Sequence, residues 1–114
     1  MELIKKGDVF WVNFEPTLGA EAKKIRPAVV VSNDINNEHS PIISIAPITS
    51  IMTRVYSFEV EIPAGTANLT SRSKIMINQT RAIDKARIGK RLGRLPDALM
   101  AEVKEALKLH YDLN

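Results

Sequence analysis

Apolar residues come in short bursts along most of the chain and fall at helical spacing only near its end. Val9 to Phe14 is β-branched and aromatic, with Gly7-Asp8 ahead of it as a turn signal, and predicts a strand. Glu15 to Ile25 contains Pro16, Gly19 and four charges and predicts a loop. Pro27 to Ser32 is a nearly continuous apolar run, the pattern of a strand covered on both faces. Asn33 to Pro41, with its asparagines and aspartate, predicts a polar loop. Ile42 to Ile48 predicts a strand in which Pro47 sits where no ladder donor is needed.

Further on, Phe58, Val60 and Ile62 alternate with Glu59 and Glu61, so Ser57 to Ile62 predicts a half-exposed strand. Pro63 to Arg72 reads as a loop, Ser73 to Asn78 and Thr80 to Ile83 as strands, and Lys90 to Leu95 as a less regular one. One helix is predicted, from Pro96 to about His110. Proline suits the first helical turn, Asp97 the positive end of the dipole, and Leu99, Val103, Ala106 and Leu107 form an apolar stripe. Short strands closed by one helix predict an α+β fold with β dominant, a small curled antiparallel sheet or barrel.

Composition narrows the function classes. A length of 114 residues with 45% hydrophobic content predicts one domain, spanning 1–114, with one core. The absence of cysteine excludes disulfides, thiolate metal sites and a cysteine nucleophile. No apolar run reaches membrane-spanning length, and Met1 to Lys6 lacks a signal-peptide core, so a cytoplasmic protein is expected, with no membrane partner. The net charge of +3 says little, but its distribution says more. Arg81, Lys85, Arg87, Lys90, Arg91 and Arg94 cluster against the single acid Asp84, and Lys23, Lys24 and Arg26 form a second basic group. Either group reads as a solvated surface or as a face for a polyanion.

The usual hydrolytic constellations are missing. His39 lies in the polar stretch and His110 near the helix end, neither at metal-ligand spacing. No paired carboxylates or Gly-rich phosphate loop occur, and no metal or other cofactor is expected. What remains is ambiguous residue by residue. Arg26 reads as a surface charge at a strand start or as an anion ligand. Thr49 and Ser50 can satisfy backbone groups at a strand end. Glu21 can be a solvated loop acid, hydrogen-bond a base or orient Arg26. Gln79 and Arg81, flanking Thr80 on a predicted strand, would share one face.

Taken in order, these segments resemble the MazF/PemK family of toxin endoribonucleases. The likeness runs through Lys6-Gly7-Asp8-Val9-Phe10-Trp11-Val12-Asn13-Phe14-Glu15-Pro16-Thr17, Gly19-Ala20-Glu21, Arg26 to Asp34 and Ala46-Pro47-Ile48-Thr49-Ser50. It continues through Gln79 to Lys85, Leu92-Gly93-Arg94-Leu95 and the helix Met100 to Leu107. It implies an SH3-like β-barrel with a C-terminal helix, forming a homodimer. It also implies metal-independent, sequence-specific cleavage of single-stranded RNA by the substrate's own 2′-hydroxyl, leaving 2′,3′-cyclic phosphate and 5′-hydroxyl ends. A MazE-like antitoxin with an acidic tail would occupy the RNA groove.

Position by position, Arg26 and Thr49 match the family's catalytic arginine and threonine. Pro16, Thr17, Glu21, Asn33, Ser50, Asn78, Gln79 and Arg81 become the expected substrate-binding residues. An arginine is a poor proton donor near neutrality and a threonine a poor base. Arg26 is therefore expected to stabilise the pentavalent phosphate and Thr49 to orient the 2′-hydroxyl or a phosphate oxygen.

Some relatives carry histidine at Ala20, a carboxylate at Asn78 and arginine at Met76, so this chain should follow the arginine–threonine version. Asn78 and Gln79 then become candidates for base recognition. Specificity is expected in residues 15–25, 33–41 and 50–56. Two alternatives are a topoisomerase (gyrase) poison of the same fold and a non-catalytic nucleic-acid-binding barrel. The ending His110-Tyr111-Asp112-Leu113-Asn114 departs from the aromatic-Gly-Ile ending on which the poison family relies.

Overall fold

The computed structural model describes residues 3–114. Its strands are β1 (Asp8–Asn13), β2 (Ile25–Val30), β3 (Ile42–Thr49), β4 (Glu59–Ile62), β5 (Ser73–Met76), β6 (Arg81–Asp84) and β7 (Ile88–Arg94). Two helices, α1 (Asp34–His39) and α2 (Asp97–His110), lie between β2 and β3 and after β7. Strands dominate and every pairing is antiparallel, in the order β4-β5-β3-β2-β1-β7 with β6 also on β3. The β-dominant α+β class and SH3-like form expected from the sequence are those observed.

Strand β3 organises the sheet because it changes partner along its length. Ile42 to Ile45 pair with β6, whereas Ile48 and Thr49 pair with β5. Pro47, buried, falls in the gap between those pairings, where the absence of an N–H breaks no bond to either strand. Both faces of the sheet are covered. Val9, Val29, Ala46 and Ile48 pack beneath α2 with its Val103 and Ala106. Phe10, Val12, Phe14, Ala28, Val30, Ile43, Ile45 and Ile83 fill the other core. Each fully buried side chain of this size contributes about 1.5–3 kcal/mol, which explains why the buried positions of β2 and β3 are apolar up to Thr49.

Several boundaries differ from the sequence reading. The stretch 33–41 is not simply a loop, because α1 forms within it. Asn33 caps that helix by accepting from the Asn36 N–H at 2.8 Å, and Asn37, not a hydrophobe, is the residue it buries. An apolar-periodicity argument has nothing to find there. The strand predicted over 73–78 stops at Met76 and gives way to a 3₁₀ turn over Ile77–Gln79. Arg26 lies inside β2 rather than before it. Pro96 occupies the cap position of α2, one residue ahead of the helix.

The less regular strand is β7, which pairs with β1 through bulges. Its two glycines and three cations disguise it, yet Gly93 has a structural reason. A Cβ there would stand 2.9 Å from the Ala67 Cα, a backbone atom that cannot step aside.

Candidate functional site

Strand register brings the separated polar residues together. Ala28 of β2 pairs with Pro47 of β3, and the same register carried two residues further sets Arg26 abreast of Thr49. Thr49 in turn pairs with Lys74 of β5. Side chains of directly opposed residues leave a sheet on the same face. Arg26, Thr49 and Lys74 therefore form a polar row across three neighbouring strands, at the edge of the apolar face built by Ala28, Val30, Ile43 and Ile45. They line a cleft of about 420 Å³ together with Glu21, Lys23 and Gln79.

The partners of each group define what it can do. Arg26 is half-buried and its Nε donates to the Lys23 carbonyl at 2.8 Å. Among the described residues its two terminal nitrogens have no hydrogen-bond partner, so they present four donors to an anion. Thr49 is 7% exposed, and its Oγ1 accepts the Ile51 N–H at 3.2 Å. That leaves the hydroxyl proton available to a ligand.

A second cleft, about 490 Å³, adjoins the first through Glu21 and Gln79 and continues past Phe14, Asn78, Thr80 and Arg81. Gln79 fastens the two together. Its Oε1 accepts the Ala22 N–H and its Nε2 lies 3.7 Å from the Met76 sulfur. Glu21 steadies the same loop by accepting the Leu18 N–H at 2.6 Å. Arg81 donates weakly to the Phe14 carbonyl at 3.4 Å and lies 5.8 Å from that ring's centroid. Gln79 and Arg81 do share the groove, but not as strand neighbours, since Gln79 belongs to the 3₁₀ turn.

Other expected positions lie elsewhere. Ser50 faces a separate apolar cleft with Trp11, Pro27 and Leu92, as alternation along a strand demands. Asn33 caps α1, and Thr17 donates to Glu15 at 3.1 Å; neither they nor Pro16 line the groove. Four of the six cations in the basic cluster 81–94 are tied to partners in the fold, Arg91 and Arg94 while still solvent-exposed. Arg91 and Arg94 reach the buried Asp8, Lys85 binds the Asn37 carbonyl, and Arg87 binds the carbonyls of Asn13 and Glu15. Of the six, only Arg81 lines the groove.

Lys74 is the residue that sequence reasoning missed. It stands in a buried strand with no gap in the pattern to mark it, and only the register to Thr49 reveals it.

Two shifted carboxylates sit away from the groove. The Lys6 N–H, at 2.7 Å, holds Asp34 below the usual carboxylate range. The two-pronged hydrogen bond from Arg72, at 2.8 Å, does the same to Glu61. Among the described residues no group of three His, Asp or Glu gathers as metal ligands, and no helix is long and apolar enough to cross a membrane.

A small curled sheet with a closing helix and an arginine–threonine–lysine row defines a class of compact β protein, and comparison gives it a family. The model of the PemK-like, MazF-like toxins of type II toxin–antitoxin systems matches residues 5–111, and the chain belongs to that family. It is 38% identical to Endoribonuclease MazF9 of Mycobacterium tuberculosis, over 97% of this chain and 98% of that protein. It superposes on crystalline MazF from Deinococcus radiodurans with a TM-score of 0.86 at 27% identity, covering 99% and 100% of the two chains. A MazE-MazF crystal structure from the same organism matches with a TM-score of 0.79 at 26% identity, over 99% and 100%.

Proposed function

We propose that this toxin is a single-domain, cytoplasmic endoribonuclease that cuts single-stranded RNA at short sequences without a metal. The observation that supports it best is the row on β2 and β3, an arginine with unengaged donors abreast of a hydroxyl. In this reading the groove holds the RNA backbone with one phosphate against Arg26. The substrate's 2′-oxygen attacks that phosphorus, a new P–O2′ bond forms and the P–O5′ bond breaks. The 2′-hydroxyl gives up its proton and the leaving 5′-oxygen gains one. Cyclic phosphate and 5′-hydroxyl ends follow from that balance.

Arg26 supplies two parallel donors to the equatorial oxygens, where negative charge accumulates in the transition state. Thr49 is buried, and its hydroxyl oxygen is held by the Ile51 amide. It donates to the attacking 2′-oxygen or to a phosphate oxygen and so selects one approach geometry. Exposed Asn78 and half-buried Arg81 read bases along the adjoining cleft, while Gln79 shapes the groove by fixing the Ala22 loop. The same cationic groove receives the acidic tail of an antitoxin, in keeping with the MazE-bound relative, and the active form is a homodimer.

The test is incubation of purified protein with single-stranded RNA in excess EDTA, followed by analysis of the new ends. Cleavage should persist and give cyclic phosphate and 5′-hydroxyl termini. Cleavage that stops in EDTA, or 5′-phosphate ends, would refute the mechanism.

A further inference from the structure

The segment between β3 and β4 carries surface that the reaction above does not use. It borders the Arg26/Thr49 cleft through Ile51 and exposes Ile51 (63%) and Tyr56 (41%) to solvent. Exposed apolar and aromatic groups beside a polar cleft are candidate contacts for a ligand when a fixed geometry supports them.

The segment is nonetheless tightly held. Lys74, from the polar row, donates to the Arg54 carbonyl and to Glu59 Oε1, the latter at 3.0 Å. The same Glu59 oxygen accepts the Tyr56 N–H at 2.9 Å. Both charged side chains are enclosed, 10% exposed for Lys74 and 6% for Glu59. One buried ion pair thus fixes the backbone at Arg54 and Tyr56 and ties both to the wall of the cleft.

What that backbone displays is a stack of planar groups. The Arg54 guanidinium carbon lies 4.5 Å from the Tyr56 ring centroid. The Tyr56 and Phe58 rings stack at 5.1 Å with an 8° tilt. Arg54 is exposed and makes no ion pair among the described residues. A guanidinium plane and an aromatic ring are the two surfaces on which unpaired nucleobases stack. They sit one side chain, Lys74, away from the arginine and threonine of the phosphate site.

We propose that Arg54 and Tyr56 form a nucleobase-stacking subsite, receiving an unpaired base next to the phosphate held at Arg26 and Thr49, with Lys74 and Glu59 as its positioning pair. The proposal rests on the RNA-cleavage reading above. It gives the 50–58 segment a definite ligand and makes one flanking base a determinant of binding through its face, independent of its hydrogen-bonding edge. Stacking accepts every base, so this subsite adds affinity and orientation, while edge-reading groups elsewhere select sequence.

The test uses an oligoribonucleotide around a mapped cleavage site, with the attacking 2′-hydroxyl replaced by hydrogen so that it binds uncut. A matching set lacks one flanking base at a time. Dissociation constants are measured by fluorescence anisotropy for the wild type, Tyr56→Ala, Tyr56→Phe and Arg54→Ala. Tyr56→Ala should weaken binding of the intact oligonucleotide by roughly 5- to 100-fold, while Tyr56→Phe stays within about twofold. The loss should vanish on the one oligonucleotide that lacks the stacked base. A merely structural role would weaken every oligonucleotide alike, and that result overturns the subsite.

If Tyr56→Ala does not fold, Arg54→Ala gives the same discrimination from an exposed position. A wild type that neither cuts nor binds RNA removes the RNA reading and the subsite with it. A wild type that cuts RNA, beside a Tyr56→Ala variant with unchanged binding, removes the subsite alone. So does a variant whose only defect is association with a second copy of the chain or with an antitoxin.

Discussion

Replacing Lys74 by methionine should destabilise the protein by about 3 kcal/mol, for a reason that can be worked from the buried pair. Methionine keeps most of the stem volume, so little packing is lost. What disappears is the ammonium between Glu59 and the Arg54 carbonyl. Glu59, 6% exposed, is left with the Tyr56 N–H as its partner and no cation. Breaking one side of a buried ion pair typically costs about 3–5 kcal/mol. The surviving amide bond places this case at the low end.

For a chain of this length 3 kcal/mol corresponds to a fall in Tm of about 12 °C. The partner change Glu59→Gln should cost less, because an amide oxygen can still accept from both Lys74 and Tyr56. The double variant, Lys74→Met with Glu59→Gln, removes the stranded charge. Its cost should fall short of the sum of the two single changes by a coupling energy of about 1–2 kcal/mol. Urea unfolding of the four proteins at one pH, with equal slopes as a check on two-state behaviour, measures the cycle. A Lys74→Met cost below about 1 kcal/mol, or a double variant that is simply additive, would show that the pair is not the anchor described here.

Three further outcomes are expected. Arg26→Ala should slow single-turnover RNA cleavage by about 100- to 1000-fold with little change in melting temperature; a loss under tenfold would remove Arg26 from the transition state. Gly93→Ala should destabilise by about 1–3 kcal/mol, because its Cβ would meet the Ala67 backbone, and an unchanged thermal melt would contradict that contact. Asp34 has a lowered folded pKa, owing chiefly to the Lys6 N–H, so its contribution is present above the unfolded value and lost as pH falls through the folded one. Asp34→Asn should therefore flatten the decline of urea-measured stability below about pH 4, and an unaltered acid slope would refute the assignment.

How much of this was legible in the sequence depends on whether a residue's role is local or set by register. The strands β2 and β3 were readable because burial on both faces leaves a nearly continuous apolar run, interrupted in β3 by the half-buried Ser44, and the helix α2 because its stripe repeats at 3.6 residues. Helix α1 was not, since it is held by an asparagine cap and a buried asparagine. The basic stretch 81–94 suggested a polyanion face, yet four of its six cations bind Asp8 or backbone carbonyls and only Arg81 lines the groove. Charge density along a chain does not tell which way side chains turn.

The groove shows the same division. Arg26 and Thr49 stood out because each is the first polar side chain at the end of an apolar strand, a local signal. Their partnership is not local. It follows from the antiparallel register of β2 on β3, which happens to bring those two ends level, and from β5 joining β3 only beyond Pro47. That late partner change is what sets Lys74 opposite Thr49. A strand that paired β3 from its start, as β6 does, would have run elsewhere and left the threonine at an open edge. The proline in β3 is thus tied to the chemistry: it occupies the break between two partners, and the break admits the lysine that anchors the neighbouring loop.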